Sequence, residues 1–254
     1  MLLRILLALI LLAAPALAEE KVVAGLSQDN VSITATFDGT GILVFGAVKR
    51  EAPAPTHAPL HVVIEVSGPP HAVTVRRKEK VLGIWINRDT IEVDSAPSFY
   101  AIAATAPLSE IVSETENLRH KISVDRLIRM VGAPDHISDA ENFVEAVIRI
   151  RRDNGLYTDT GASVQLTDET LFKTEFDLPS NLVEGDYSAR IFLIRGTEVV
   201  DSFETAIAVR KVGLERWIYN LAHQRPLIYG LLSLAIAIAA GWLASAVFRV
   251  LRLN

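Results

Sequence analysis

The stretch from Asn30 to Val48 reads NVSITATFDGTGILVFGAV. Val31, Ile33, Ala35 and Phe37 alternate with Ser32, Thr34 and Thr36, a period of two that sends one strand face to a core and the other to water. Asp38-Gly39-Thr40-Gly41 is turn chemistry, and Ile42 to Val48 supplies a second strand. The pattern continues toward the C-terminus. PLHVVIEVSGPP gives a third strand, closed by Gly68-Pro69-Pro70. AVTVRRKEKVLGIWIN reads as a hairpin with Lys78-Glu79-Lys80 near its tip, and DTIEVDSAPSFYAIAAT supplies further strand. Short strands separated by turn signals roughly every ten residues predict an immunoglobulin-like sandwich over residues 19–106.

Residues 107–155 change period. Val124, Leu127, Ile128 and Val131 recur at helical spacing, with Gly132 and Pro134 as stop signals. Ser138-Asp139-Ala140-Glu141 is a capping box. The helix after it places Phe143, Val144, Val147 and Ile150 on one face. Residues 156–212 return to strands, either as a hairpin-rich segment or as a second small sandwich. Tyr187, Ala189, Ile191 and Leu193 form one face there, Arg195-Gly196-Thr197 turns, and Val199, Phe203, Ile207 and Val209 face the partner strand. The fold class expected is mainly β with a helical insertion (α+β): immunoglobulin-like sandwich or sandwiches plus one C-terminal transmembrane helix.

The ends of the chain set the expected location. Residues 1–18 carry Arg4, an apolar run from Ile5 to Ala14, and small residues at Ala16 and Ala18, the layout of a cleaved signal peptide. An uncleaved anchor is the competing reading, but the run is short for a span. Residues 226–248 contain no ionisable group, and about 20 apolar residues cross a bilayer. Arg225 precedes this run, and Arg249 and Arg252 follow it in the tail 249–254, as the positive-inside rule expects of a cytoplasmic end. Residues 213–225, with Leu214, Trp217, Ile218 and Leu221 on one side, read as an interfacial helix; a core helix of the domain is the alternative. The expected location is the inner membrane, single-pass, with the β-rich part in the periplasm.

Setting aside Arg4, Arg249 and Arg252 leaves 22 basic against 30 acidic residues, a balance of −8 for the exported part. That charge argues against nucleic acid and against non-specific adhesion to anionic lipid. The absence of cysteine excludes disulfides and thiolate chemistry. His57 and His61 stand four apart in an extended stretch where Pro55 and Pro59 forbid a helix, so they lie too far apart for one metal ion. His71, His120, His136 and His223 are scattered. No hydrolase, phosphate-loop or dinucleotide motif is present. No catalytic residue, metal site or cofactor is expected.

Two features could mark a binding surface. VRRKEK gathers Arg76, Arg77, Lys78 and Lys80 in an acidic domain, suited to an anion or an acidic partner loop; a solvated hairpin tip is the plain alternative. GIWINRD is apolar on both strand faces, so Ile84, Trp85 and Ile86 are expected beneath another layer, either the helices or a partner. An exposed Trp85 would be a contact residue.

GLSQDNVSITATFDGTGILVFGAVKRE, VRRKEKVLGIWINRD, PSFYAIAAT, LPSNLVEGDYSARIFLIR and the anchor with its basic tail resemble a family of transmembrane proteins from alphaproteobacteria. The resemblance covers nearly the whole mature chain. That family has no assigned activity and carries over no site residues. Genes of that family sometimes stand beside those of inner-membrane exporters of the sulfite/taurine type, and through this the resemblance implies an accessory role. The functional expectation is a protein-interaction or accessory module for another inner-membrane protein such as a transporter, in contact with lipid through its C-terminal helix. An anion- or solute-binding accessory domain is the alternative, and an envelope hydrolase is a distant third.

Overall fold

The computed structural model of the protein describes residues 20–55, 58–132, 137 and 139–251. The expected signal peptide, His57, Pro134, His136, Ser138 and Arg252 lie outside the described residues. The chain divides into two units, one made of the residues up to Val31 together with Asp38–Val209, the other of Ser32–Phe37 and everything from Arg210 onward.

Alternation of side chains builds the first unit. One sheet has the order β1-β3-β10-β9, formed by β1 (Glu20–Leu26), β3 (Gly39–Arg50), β9 (Gln165–Thr167) and β10 (Leu171–Pro179). A second sheet has the order β2-β12-β11-β4-β7-β8. It contains β2 (Asn30–Ile33), β4 (Leu60–Ser67), β7 (Tyr100–Ala104), β8 (Tyr157–Asp159), β11 (Gly185–Arg195) and β12 (Glu198–Lys211). Strands from the early and late β blocks therefore share both sheets. Val22, Ile42, Val44, Phe172 and Phe176 of the first sheet are buried, as are Ile64, Tyr187, Ile191, Leu193 and Ile207 of the second. Cross-layer bonds join the sheets: Arg195 on β11 pairs with Glu20 on β1, and Val22 N–H donates to Asp201 Oδ2 on β12 at 2.7 Å.

The opposite face of the second sheet is covered too. Val63, Tyr100, Ile102, Phe192 and Ile194 share one cluster with Ile111, Val112, Ile122, Phe143 and Val147 of the helical insertion. Coverage on both faces explains why β4 reads as a continuous apolar run rather than an alternation. The third pairing is a hairpin of β5 (Pro70–Val81) and β6 (Ile84–Pro97). Its root joins the same cluster through Val75, Ile91 and Val93.

Several expectations change. The strand predicted through Phe37 ends at Ile33, because Phe37 N–H folds back onto Thr34 O at 3.1 Å in a turn. The part of segment 107–155 that precedes Gly132 resolves into three short helices, α1 (Leu108–Ile111), α2 (Glu114–His120) and α3 (Val124–Leu127). Ser113 caps α2 by accepting from Glu116 N–H, and Lys121 ends it in the left-handed region at φ 51°. Ile128 is extended and buried, and Arg129 bridges to Ser95, so the 3.6-residue spacing of Val124, Leu127, Ile128 and Val131 does not come from one helix. In α4 (Glu141–Asp153), Phe143 and Val147 are buried as expected, whereas Ile150 is exposed. A bulge between Leu193 and Ile194 pairs Val199 with Ile194, which moves Val199 to the helix side of the sheet, off the face of Phe203 and Ile207.

The second unit contains α5 (Leu214–Gln224) and α6 (Pro226–Leu251). Proline at the first position of α6 costs no helical hydrogen bond. Over Pro226–Arg249 the helix is long and apolar enough to cross a membrane.

Candidate functional site

The β5–β6 hairpin is an arm. Leu82 and Gly83 form its two-residue turn with φ of 50° and 88°, both left-handed, the geometry that matches strand twist in a tight hairpin. The turn lies beyond Lys78-Glu79-Lys80, so the basic residues sit on the strand behind the tip. Beyond the Val75–Ile91 rung, no residue of the arm is buried. Leu82 is 98% exposed, Ile84 68% and Trp85 65%. The expectation that Ile84, Trp85 and Ile86 lie beneath the helices is therefore overturned. Among the described residues no third strand joins β5 and β6; apart from the single bridge of Ser95 to Arg129 near the root they pair with each other, and the rungs that carry these side chains run past the packed root.

The register sorts the arm's charges by face. Val81 pairs with Ile84, and Glu79 with Ile86, on the face that packs on the helices at the root. On this side charges are matched: Arg77 bonds Asp89 Oδ2 at 2.5 Å and Asp139 Oδ2 at 2.5 Å, and its guanidinium lies 5.2 Å from the Phe143 ring centroid. The hydrogen bond from Arg77 holds the Asp139 carboxyl below its ordinary range. Arg88, the bulged residue, pairs with Glu79 at 2.6 Å. The other face carries Arg76, Lys78 and Lys80, with Trp85 opposite Lys80. Among the described residues no carboxylate pairs with any of these three cations.

A second exposed apolar surface is the outer face of the first sheet, which sequence reading missed. Val23, Ala47 and Leu171 share one row across three strands; Phe45 follows in the next row and Leu43 in the one after. Val23, Leu43, Phe45 and Leu171 are all exposed. The Phe45 ring lies over Gly25, with its nearest carbon 3.3 Å from where a Cβ would stand, so a side chain there would push the exposed ring outward by a few tenths of an ångström. Exposed Lys21, Lys49, Lys173 and Glu175 rim the patch. The missed signal was the unbroken run Ile42-Leu43-Val44-Phe45, apolar on both faces like GIWIN.

Two ionic groups inside the first unit also went unread. Arg195 grips Glu20 with Nε and Nη2, both at 2.9 Å, and donates to Pro55 O and Ala58 O as well. Arg50 Nε adds a contact to Glu20 at 2.6 Å. Burial alone would raise the Glu20 pKa, but Arg195 and Arg50 outweigh it and hold the carboxyl below its ordinary value. Glu65 is fully buried on the helix side of β4 and pairs with Arg190, which also donates to His120 O and Lys121 O at the end of α2. Among the described residues Glu65 Oε1 has no hydrogen-bond partner within bonding geometry, and burial lifts the carboxyl from 4.5 to about 7 against the pull of Arg190. The signal was a lone carboxylate in HVVIEVS, but its partner stands 125 residues away.

A polar recess of about 380 Å³ is lined by Ser113, Thr115, Glu116, Arg119, Thr197 and Glu198. Its Glu116 carboxylate is engaged by Arg119, by His120 and by Val199 N–H. Among the described residues no group of three histidines and carboxylates could hold a metal ion. His61 bonds Thr105, and His223 stacks on Tyr219.

The family described as "Putative transmembrane protein (Alph_Pro_TM)" matches residues 21–250. The chain belongs to that family. The match takes in both sheets, the arm, the helical insertion and nearly all of α6. No curated protein matches the chain.

Proposed function

We propose that the chain is a single-pass inner-membrane protein of alphaproteobacteria with a cleaved signal at residues 1–18. Its β-rich unit stands in the periplasm, α6 is the anchor, and the tail with Arg249 and Arg252 lies in the cytoplasm. It works as a binding protein, an accessory module for another inner-membrane protein such as a transporter, and not as an enzyme. The apolar outer face of the first sheet carries this reading. Val23, Leu43, Phe45 and Leu171 on neighbouring rows make a flat patch with a charged rim, the layout of a docking surface with an aromatic anchor at its centre. Enclosure of one small solute anion by all four basic residues of the hairpin is less well supported, because Arg77 is held by Asp89 and Asp139 on the opposite face from Arg76, Lys78 and Lys80.

The test is a photo-crosslinking residue at position 45 in the full chain, activated in native membranes. A single discrete inner-membrane adduct is expected, recovered in stoichiometric amount in mild detergent and lost on Leu43→Lys. Recovery of the chain alone, with no adduct, would remove this reading.

A further inference from the structure

The arm has a different destination from the sheet face. We infer that its tip, Val81 to Ile86, inserts into the interfacial layer of an anionic bilayer, with Arg76, Lys78 and Lys80 on lipid headgroups. Three observations favour lipid over a protein socket. First, the tip shows apolar side chains in several directions: Val81, Ile84 and Ile86 on one face, Trp85 beside Lys80 on the other, Leu82 at the end. Covering all of it takes a surrounding medium rather than a surface. Second, the charges are sorted as a headgroup contact needs. One face is neutralised by Asp89, Asp139 and Glu79, while the other presents three cations on alternate residues, starting beside Trp85. Tryptophan with lysine and arginine behind it is the side-chain pattern of the membrane interface. The −8 balance of the exported part opposes broad adhesion to such a surface, and the arm is the local exception. Third, the chain carries its own membrane-crossing helix, so a bilayer is always at high local concentration.

Dimensions limit the depth. Ile84 to Ile86 is three residues of β6 at about 3.3 Å each, so the tip reaches about 10 Å, the depth of interfacial elements, with Lys80 and the Arg88-paired Glu79 of the facing strand toward its headgroup end. The outer backbone groups of a two-stranded ribbon have no partners, so the tip stops short of the hydrocarbon.

The inference rests on α6 being a span, and the experiment separates the two. Trp217→Phe with Trp242→Phe leaves Trp85 as the sole tryptophan of the full chain. In phosphatidylcholine–phosphatidylglycerol vesicles Trp85 emission should shift to the blue and be quenched by lipids brominated near the headgroup. Each cation near such a surface contributes roughly fivefold, so replacing Arg76, Lys78 and Lys80 together by serine should lower the inserted-to-free ratio on the order of a hundredfold. Leu82→Asp should lower it at least about tenfold. Pure phosphatidylcholine should act like the triple variant. A Trp85 that stays open to aqueous acrylamide in the anionic vesicles overturns the inference. A Trp85 that is shielded in native membranes and open in vesicles does so too, in favour of a protein socket. A parallel chain with Trp242 as sole tryptophan reports the span: if deeply brominated lipid leaves it unquenched, it is the anchor reading that has failed.

Discussion

Two hairpins of this chain obey the same local rules and end differently. Both β5–β6 and β11–β12 alternate, and both turn through two residues of positive φ, Leu82-Gly83 and Gly196-Thr197. In β11–β12 a third strand, β4, adds to the ladder, β11 is buried on both faces from Ile191 to Arg195, and the turn is clasped by Arg195 on Glu20. Among the described residues no third strand joins β5–β6, and Leu82 at the turn is solvent-exposed. Local pattern makes a hairpin. What lies over it decides whether the hairpin becomes core or contact surface.

The largest test of that contrast sets one tip against the other. Glu20→Ala leaves Arg195 and Arg50 facing each other without their carboxylate, and breaking a buried pair in this way costs about 3 kcal/mol. Leu82→Asp at the other tip should leave the urea midpoint of the first unit within experimental error. Leucines in the two hairpins extend the contrast. Leu193→Ala removes a fully buried side chain and should cost about 2–5 kcal/mol, while Leu82→Ala should change stability by less than about 0.5 kcal/mol. Equal losses at Leu193 and Leu82 would mean that the arm is packed after all.

The sequence showed the strands well where alternation was uninterrupted, as in Tyr187 to Leu193. It misled at 124–131, where Val124, Leu127, Ile128 and Val131 are spaced as in a helix, but Ile128 is extended and Arg129 bridges to Ser95. It also stretched the strand at Val31 through Ala35 and Phe37, since an alternating run does not show where a turn pulls the chain away. For the candidate site, GIWIN announced a strand apolar on both faces, and the tip position and its exposure stayed hidden. Those depend on the absence of a covering layer, which is a tertiary fact. Glu65 was invisible for the same reason, because Arg190 reaches it only through the β4–β11 register.

Glu65 gives the next prediction. Between about 4.5, the unfolded value, and about 7, the folded one, the native state keeps a proton that the unfolded chain has released. Stability therefore falls as pH rises through that window, by about 3 kcal/mol at most. Glu65→Gln cannot ionise and should flatten this part of the pH profile of urea midpoints. A slope that survives the substitution would assign it to another group. The partner carboxylate of the comparison behaves in the opposite sense: Glu20, held below its ordinary value, contributes stability at neutral pH that is lost in acid.

The smallest effect belongs to the root of the arm. Arg77 joins β5 to β6 through Asp89 and to the start of α4 through Asp139, in exposed ion pairs of the kind that contribute little to global stability. If these pairs aim the arm rather than hold the fold, Arg77→Ala should leave the unfolding midpoint unchanged. It should instead speed backbone hydrogen exchange over residues 76–90, where the ladder has no third strand to protect it. The corresponding stretch of β11, flanked by β4 and β12, should keep its protection in the same sample. Faster exchange in both hairpins would make Arg77 a support of the whole unit, and no change in either would leave the arm's direction to the packing of Val75, Ile91 and Val93 alone.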